Sequence, residues 1–289
     1  MMIDRAFVLL QHLLPRHLLT ALVWRLARIR TPAVKNRLIN GFVRVFDVHL
    51  DDVRGEVPDD FETFNDFFVR ELAPGARPVA DAADAVVSPV DGTVSFAGDI
   101  HGRALFQAKG IDYSLDDLLA TDLDQARRFV DGSFATIYLA PYDYHRVHSP
   151  LAGELVAARY VPGDLFSVNE RTVSQLRGLF RRNERLVMHF RTDVGPAVLV
   201  FVGALNVGSI TTPWTGEIRP RKSGVVEALD IARHPARVEK GDLLGWFNMG
   251  STVILLLPPG AAEWNGGLRP GARLRMGEAI GRLRKRTHG

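Results

Sequence analysis

The 289-residue chain is predicted to adopt an α+β fold in which amphipathic helices precede a β-rich, duplicated body. Three observations carry that expectation. Apolar residues recur at helical spacing as far as Phe46. Beyond Pro78 the chain turns to runs rich in β-branched residues, bounded by Gly and Pro. Within that second part, two stretches echo each other as a duplicated unit would. An apolar share of 46% with 24% charged residues belongs to a folded protein. The absence of cysteine excludes disulfides, thiol nucleophiles and thiolate metal sites.

Taken in order, Phe7 to Leu14 is apolar apart from Gln11 and His12, and Pro15 interrupts it. Leu18, Leu19, Leu22, Val23, Leu26 and Ile29 then form one helical stripe, with Arg16, Arg25 and Arg28 off it. From Met1 to Phe46 eight basic residues face one acid, so this segment carries +7 although the whole chain carries only +3. No uncharged stretch reaches the roughly 20 residues that a spanning helix needs. No small-residue cleavage site follows the apolar run, so a secretory leader is not expected. Two readings fit: an interfacial helix with Trp24 near lipid headgroups, or a core-packing hairpin with a solvated basic face. The run of arginines favours the interfacial one. A further short helix over Phe61 to Arg70 places Phe61, Phe64, Phe67 and Phe68 on one face, ordinarily a core stripe. The expected division is a helical, membrane-associating region over 1–70 and a β-rich domain over 71–289.

Strands are predicted at Ala85–Val90, Phe134–Leu139, Leu186–Phe190, Ala197–Ile210 and Thr252–Leu257, with helical turns at Leu115–Ala120 and Asp124–Phe129. Ser88-Pro89-Val90-Asp91-Gly92-Thr93-Val94 is echoed by Ser149-Pro150-Leu151-Ala152-Gly153-Glu154-Leu155. Val161-Pro162-Gly163-Asp164-Leu165-Phe166 is echoed by Val238-Glu239-Lys240-Gly241-Asp242-Leu243-Leu244-Gly245. Each unit reads as strand, glycine turn, strand. The pattern is similar to lipoyl- and biotinyl-type β-sandwich hybrids, built from turn chemistry that is also common elsewhere. No lysine lies between paired methionines at a hairpin tip, so a carrier role has little support.

Reactive groups sit in three motifs. The Ser88–Val94 turn holds Asp91, Tyr144-His145-Arg146-Val147-His148-Ser149-Pro150 holds two imidazoles, and Met249-Gly250-Ser251-Thr252 holds a hydroxyl preceded by glycine. A serine is a weak nucleophile unless a base takes its proton and a third group orients that base. Asp91, His148 and Ser251 supply orienter, base and nucleophile. Glycine at 250 tolerates backbone conformations that other residues resist. The hydroxyl can then reach back to its own preceding carbonyl and drive an N-to-O acyl shift. The ester so formed can eliminate across Cα–Cβ to leave dehydroalanine, which water converts to a pyruvoyl group and ammonia. A ketone at a new N-terminus is an electron sink.

Each motif alone has a blander reading. Ser251 suits a strand start, and Asp-Gly is an ordinary hairpin signal. His145 and His148, three apart, suit a solvated or metal-binding pair; no further ligand cluster follows, so no metal is expected. A serine hydrolase acting on an exogenous ester through Asp91, His148 and Ser251 is the enzymatic alternative, although Val253 breaks a Gly-x-Ser-x-Gly elbow. A membrane-bound β-sandwich carrier or scaffold is the non-enzymatic one.

Together, in this order, the motifs closely resemble the phosphatidylserine decarboxylase family. The resemblance extends over Phe64–Leu72, Pro74–Pro78, Lys109–Leu115, Leu165–Asn169 and Gly203–Ile210, with Met249 where the family commonly has Leu. It implies a proenzyme whose self-cleavage triad is Asp91, His148 and Ser251, cut between Gly250 and Ser251. The products are a β chain 1–250 and an α chain 251–289, which pair as a heterodimer with a covalent pyruvoyl cofactor derived from Ser251. It further implies His145 in the decarboxylation step and 71–289 as the catalytic domain. Phosphatidylserine is the implied substrate, at an anionic membrane surface on the cytoplasmic face of the cell membrane. A homodimer is compatible with this reading, and no nucleic-acid partner is expected. Lys109, Arg146 and the Leu165–Asn169 turn are the candidates for gripping the phosphodiester.

Overall fold

The computed structural model describes residues 2–108, 111–120 and 123–284. Helical periodicity in the first part resolves into three helices, α1 (Met2–Leu13), α2 (Arg16–Ala27) and α3 (Pro32–Phe46). Pro15 lacks the N–H that would continue the first of them, and α1 and α2 are bent by 85° across it. No single helix is long and apolar enough to cross a membrane; the bent pair passes that test by length and composition only. A fourth helix, α4 (Phe64–Phe68), is capped by Thr63, whose hydroxyl accepts from Asp66 N. Its phenylalanines form a small cluster with Ala27, Ile39 and Val48, which Trp246 and Met249 of the body complete.

The first three helices do not all face outward as a uniform basic surface. Arg16 makes a two-pronged ion pair with Asp164 and lies over the Phe166 ring, and Arg28 is bonded to Glu217. Trp24, expected near headgroups, is tied to the body: its indole donates to Glu217 and packs against Gly208, where a Cβ would lie 2.6 Å from the ring. Arg25, Arg37 and Arg44 are exposed, with no partner among the described residues. On α1 and α2, Leu9, Leu10, Leu13, Leu18, Leu22 and Leu26 are also open to solvent, Leu13 to 82%.

A nine-stranded antiparallel sheet forms the body. Its centre is the Thr252–Leu257 strand, buried at all six positions and flanked by Gly195–Val202 and Ser133–Tyr138. Gly92–Asp99 continues the sheet on one side, and Arg185–Thr192 followed by Gly153–Val161 continue it on the other. The run expected as one strand over Ala197–Ile210 divides at Val202 and resumes as Ile210–Thr212 in a different sheet. A close approach explains the break, since a Cβ at Gly203 would meet the buried Glu184 side chain at 2.6 Å. A four-stranded sheet carries Ile210–Thr212, Leu243–Phe247 and Arg146–His148, the last two in register through Leu243↔His148 and Trp246↔Arg146.

The duplication is visible as a local two-fold exchange. Val87 N donates to Pro150 O, and His148 N donates to Pro89 O. Ser88 Oγ donates to Val90 O and Ser149 Oγ to Leu151 O, both at 2.7 Å. Each serine also pairs through its backbone with a Gly-acid turn: Ser88 with Gly277-Glu278, Ser149 with Gly241-Asp242. Both glycines have positive φ, +86° and +90°. The counterpart of Gly241-Asp242 is thus Gly277-Glu278, not the expected Gly163-Asp164, whose Gly163 pairs with Arg221 instead.

Because the two serines occupy matching environments, Ser88→Ala and Ser149→Ala are expected to cost similar stability, about 1 kcal/mol each for one buried hydrogen bond. Urea midpoints of the two variants check this; a cost confined to one of them would contradict the equivalence.

Candidate active site

Four residues, Asn248 to Ser251, cross from the Leu243–Phe247 strand of the smaller sheet to the Thr252–Leu257 strand of the large one. Asn248 anchors this crossover: its N–H donates to Ser209 O, its amide nitrogen to Ser209 Oγ and Thr211 Oγ1, and its amide oxygen accepts from Asn65. Ser251 then joins the large sheet, its carbonyl accepting from Leu139 N at 2.8 Å. The Ser251 side chain is fully buried and its Oγ has no hydrogen-bond partner among the described residues. A buried hydroxyl left unbonded costs on the order of 1–3 kcal/mol, so the fold holds this group ready at a penalty.

His145 faces the crossover. Phe247 N donates to His145 O, which places the ring beside the chain leading to Gly250. Its Nδ1 donates to Asp143 O at 2.8 Å, which fixes the tautomer and leaves a lone pair on Nε2. That Nε2 is buried without a partner, and a Cβ at position 250 would lie 3.3 Å from it. Glycine at 250 therefore admits the imidazole to the Gly250–Ser251 linkage. The ring packs against Phe68, tilted by 41° with centroids 4.1 Å apart. Burial, and after it the charge of Arg70, push His145 down to about 3, so the ring is neutral throughout the physiological range.

His148, three residues on, points to the other side of its strand, as alternation requires. Its Nδ1 donates to Gly241 O at 2.8 Å, and its Nε2 accepts from the Tyr144 hydroxyl at 3.0 Å. Burial lowers its pKa, and raises that of Tyr144 to about 12, which keeps the phenol a donor. Asp91 is held by Arg77 through both carboxylate oxygens, at 2.6 to 3.0 Å, and by Met276 N. Arg77 also bonds Asp52. Asp91 thus acts on His148 through space, favouring its charged form, without a hydrogen bond between them. Of the four residues singled out in the sequence, the structure brings His145 and Ser251 to the Gly250 linkage. Asp91 and His148 sit in neighbouring cavities that share Arg77, Leu72 and Tyr144.

The three phosphodiester candidates fare differently. Lys109 lies outside the described residues. Arg146 is spent on Val69 O and Glu71, and lies over Trp246. The Leu165–Asn169 turn is covered by α1: Gln11 accepts from Ser167 N and donates to Thr172 Oγ1. Two residues that sequence reasoning passed over line the larger cavity of 590 Å³, Arg70 and Arg77, both inside stretches already noted for their resemblance. The available signal was a basic residue closing an aromatic stripe, Phe67-Phe68-Val69-Arg70. A separate apolar groove of 360 Å³ between α2 and α3, lined by Val23, Leu26, Leu38, Phe42 and Phe64, ends on Met249. Among the described residues no three His, Asp or Glu side chains group as metal ligands.

The glycine-serine linkage thus lies beside a neutral imidazole in a β-rich body, with an apolar groove ending on the neighbouring Met249. The family comparisons are specific. The phosphatidylserine decarboxylase model matches residues 64–282, and a second model described as PSD matches residues 6–47. The phosphatidylserine decarboxylase proenzyme of Azotobacter vinelandii is 48% identical, covering 96% of this chain and 98% of its own length. Those of Methylococcus capsulatus and Saccharophagus degradans are 45% and 44% identical over 97% of this chain. The chain belongs to the phosphatidylserine decarboxylase family.

Neutral burial of His145 has a measurable consequence, shared with His189, which burial pushes down to about 4. A histidine whose pKa is lowered by folding stabilises the native state above its unfolded value near 6.5 and loses that contribution as pH falls. Between pH 7 and pH 5 the fold is expected to lose about 2 kcal/mol per ring. Urea unfolding at the two pH values checks this, and His189→Leu should remove one ring's share of the loss, about 2 kcal/mol.

Proposed function

We propose that this chain is a phosphatidylserine decarboxylase proenzyme that cuts itself between Gly250 and Ser251 and then converts phosphatidylserine to phosphatidylethanolamine. The observation that carries the reading is the buried, unbonded Ser251 hydroxyl beside a glycine that a neutral imidazole approaches to contact. The family membership of the whole chain favours it over hydrolysis of an exogenous ester. In maturation Ser251 Oγ attacks the Gly250 carbonyl carbon as its proton passes to a histidine. The C–N bond breaks in favour of the ester, and elimination then frees the Gly250 carboxylate. Water replaces the amino group of the resulting dehydroalanine, releasing ammonia. Chains 1–250 and 251–289 stay paired, because Thr252–Leu257 is hydrogen-bonded on both sides to strands of the larger chain.

The residues present fit a pyruvoyl group at position 251. The Ser251 side chain is already enclosed, and no charged group bonds it. That group would supply the electron sink for loss of carbon dioxide. His145 and the flanking phenylalanines exclude water from it, and His145 Nε2 is the ring atom placed to exchange a proton there.

By position in the family motif, His148 is the base of self-cleavage, oriented by Gly241 O and biased by Asp91, while His145 serves decarboxylation. A second reading has a specific observation behind it: His145 Nε2 faces Gly250 with a free lone pair, whereas His148 Nε2 is taken by Tyr144. In that reading His145 receives the serine proton. Denaturing gels of Ser251→Ala, Asp91→Ala, His148→Ala and His145→Ala decide between them. Ser251→Ala is expected to remain one chain under both readings, and its cleavage would overturn the proposal. A cleaved His145→Ala with little carbon dioxide release supports the first reading; an uncleaved, folded His145→Ala supports the second.

Membrane attachment on the cytoplasmic face is part of this proposal. The exposed leucines of α1 and α2 flank Arg25, Arg37 and Arg44, and a basic residue near an anionic surface contributes about 1 kcal/mol. Co-sedimentation with anionic vesicles should exceed that with neutral ones, and high salt should weaken it only in part. Charge reversal of Arg25, Arg37 and Arg44 together is expected to reduce binding while leaving cleavage intact. Arg28 is unsuitable for this test because it holds Glu217. Indifference of the cleaved protein to either vesicle would contradict the attachment.

A further inference from the structure

Arg70 is a buried cation whose bonding is incomplete. It follows α4, is only 4% exposed, and donates through Nη2 to Tyr142 O at 3.1 Å. Its Nε and Nη1 are buried and meet no acceptor among the described residues; the nearest π face is Phe67, 5.2 Å from the guanidinium carbon to the ring centroid. Burying a guanidinium with N–H bonds left over is expensive, and such groups are retained where a ligand completes them. The other guanidiniums on the 590 Å³ cavity differ. Arg77 is occupied by Asp91 and Asp52, Arg273 by Asp143, and Arg275 is exposed. The acids lining that cavity beside Arg70, Asp91 and Asp143, are in turn bonded to those arginines.

Among the described residues no group of the uncleaved chain completes Arg70. The continuous chain already holds every participant of self-cleavage, the Gly250 carbonyl included, and none accepts from Nε or Nη1. The missing acceptor comes from outside. We propose that Arg70 binds the phosphodiester of the lipid headgroup and so sets the amino-acid end of the substrate against position 251. This rests on the reading that position 251 becomes the reactive carbonyl. A guanidinium fork matches the non-bridging oxygens of a phosphodiester. The substrate also carries a carboxylate, but an ion pair with the group that must leave as neutral carbon dioxide would stabilise the ground state over the transition state. The phosphodiester survives the reaction unchanged, so holding it opposes nothing.

The placement is coherent with the rest of the site. His145 Nε2 lies 3.3 Å from where a Cβ at position 250 would be, and the ring feels the charge of Arg70, which helps keep it unprotonated. An anion seated on Arg70 offsets that charge. It eases protonation of His145 when substrate is in place, the moment at which a proton is needed.

The test uses Arg70→Gln and Arg70→Lys in the full chain. Processing is read by gel and intact mass, KM and kcat by carbon dioxide release from soluble dihexanoyl phosphatidylserine, and product affinity by inhibition with dihexanoyl phosphatidylethanolamine. Both variants are expected to process. Arg70→Gln should raise KM and the product inhibition constant together by about tenfold or more, with a smaller change in kcat, and Arg70→Lys should fall between it and the parent. A rise in KM with unchanged product inhibition would assign the arginine to the carboxylate and overturn the proposal. Unchanged values in both measurements would overturn it too, as would a failure of both variants to process, which places Arg70 in maturation. If the parent chain itself does not process, the reading of position 251 fails first.

Discussion

The close approach of the His145 ring to Gly250 is the constraint around which the molecule is arranged. It is favoured by glycine at 250, where a Cβ would crowd the ring nitrogen at 3.3 Å, by a crossover held still by the Asn248 amide, and by a strand that hands Ser251 directly into the central sheet. It also needs an imidazole stripped of water and locked into one tautomer by Asp143 O. Each of these conditions is costly alone, since a buried hydroxyl and a buried ring nitrogen both forgo hydrogen bonds. They are offset by the fully buried Thr252–Leu257 strand, apolar from Val253 onward, and by its two neighbours in the core.

Electrostatics divides the site into two compartments. On one side the Asp91, Arg77 and Asp52 network and the Asp143–Arg273 pair hold their charges in mutual bonds around a polar cavity. On the other, His145 packs on Phe68 beside the Gly250–Ser251 linkage, and Met249, next along the chain, lines the apolar groove between α2 and α3. A lipid amine with a charged headgroup and apolar chains fits such a boundary better than a soluble ester does. The N-terminal helices contribute to both sides. Arg16 and Arg28 are internal fasteners to Asp164 and Glu217, while α3 supplies a wall of the groove.

Much of this was legible in the sequence because it depends on local pattern. The helical stripes, the short aromatic helix and the Thr252–Leu257 strand follow from periodicity and length, and the strand limits agree to the residue. The Ser88 and Ser149 units announced a duplication, and their reciprocal bonds are its physical form. What escaped depends on long-range pairing. Nothing local distinguishes Gly241-Asp242, which partners Ser149, from Gly163-Asp164, which does not. Nor does composition tell an arginine clamped to the body, such as Arg28, from one free at the surface, such as Arg25. The bond from Trp24 to Glu217 escaped for the same reason, since that partner lies far along the chain. At the site the bonds of the motif residues were not legible: Arg77, rather than His148, holds Asp91.

The central claim is that Ser251 is converted, not merely used. Intact mass of the purified parent chain tests it most directly. The account predicts two chains meeting at Gly250 and Ser251, whose summed mass exceeds that of the uncut chain by one water less one ammonia. The smaller chain should be refractory to N-terminal sequencing and should gain two hydrogens on borohydride reduction. A single chain of unaltered mass, or two chains with a free serine amine at position 251, would contradict it.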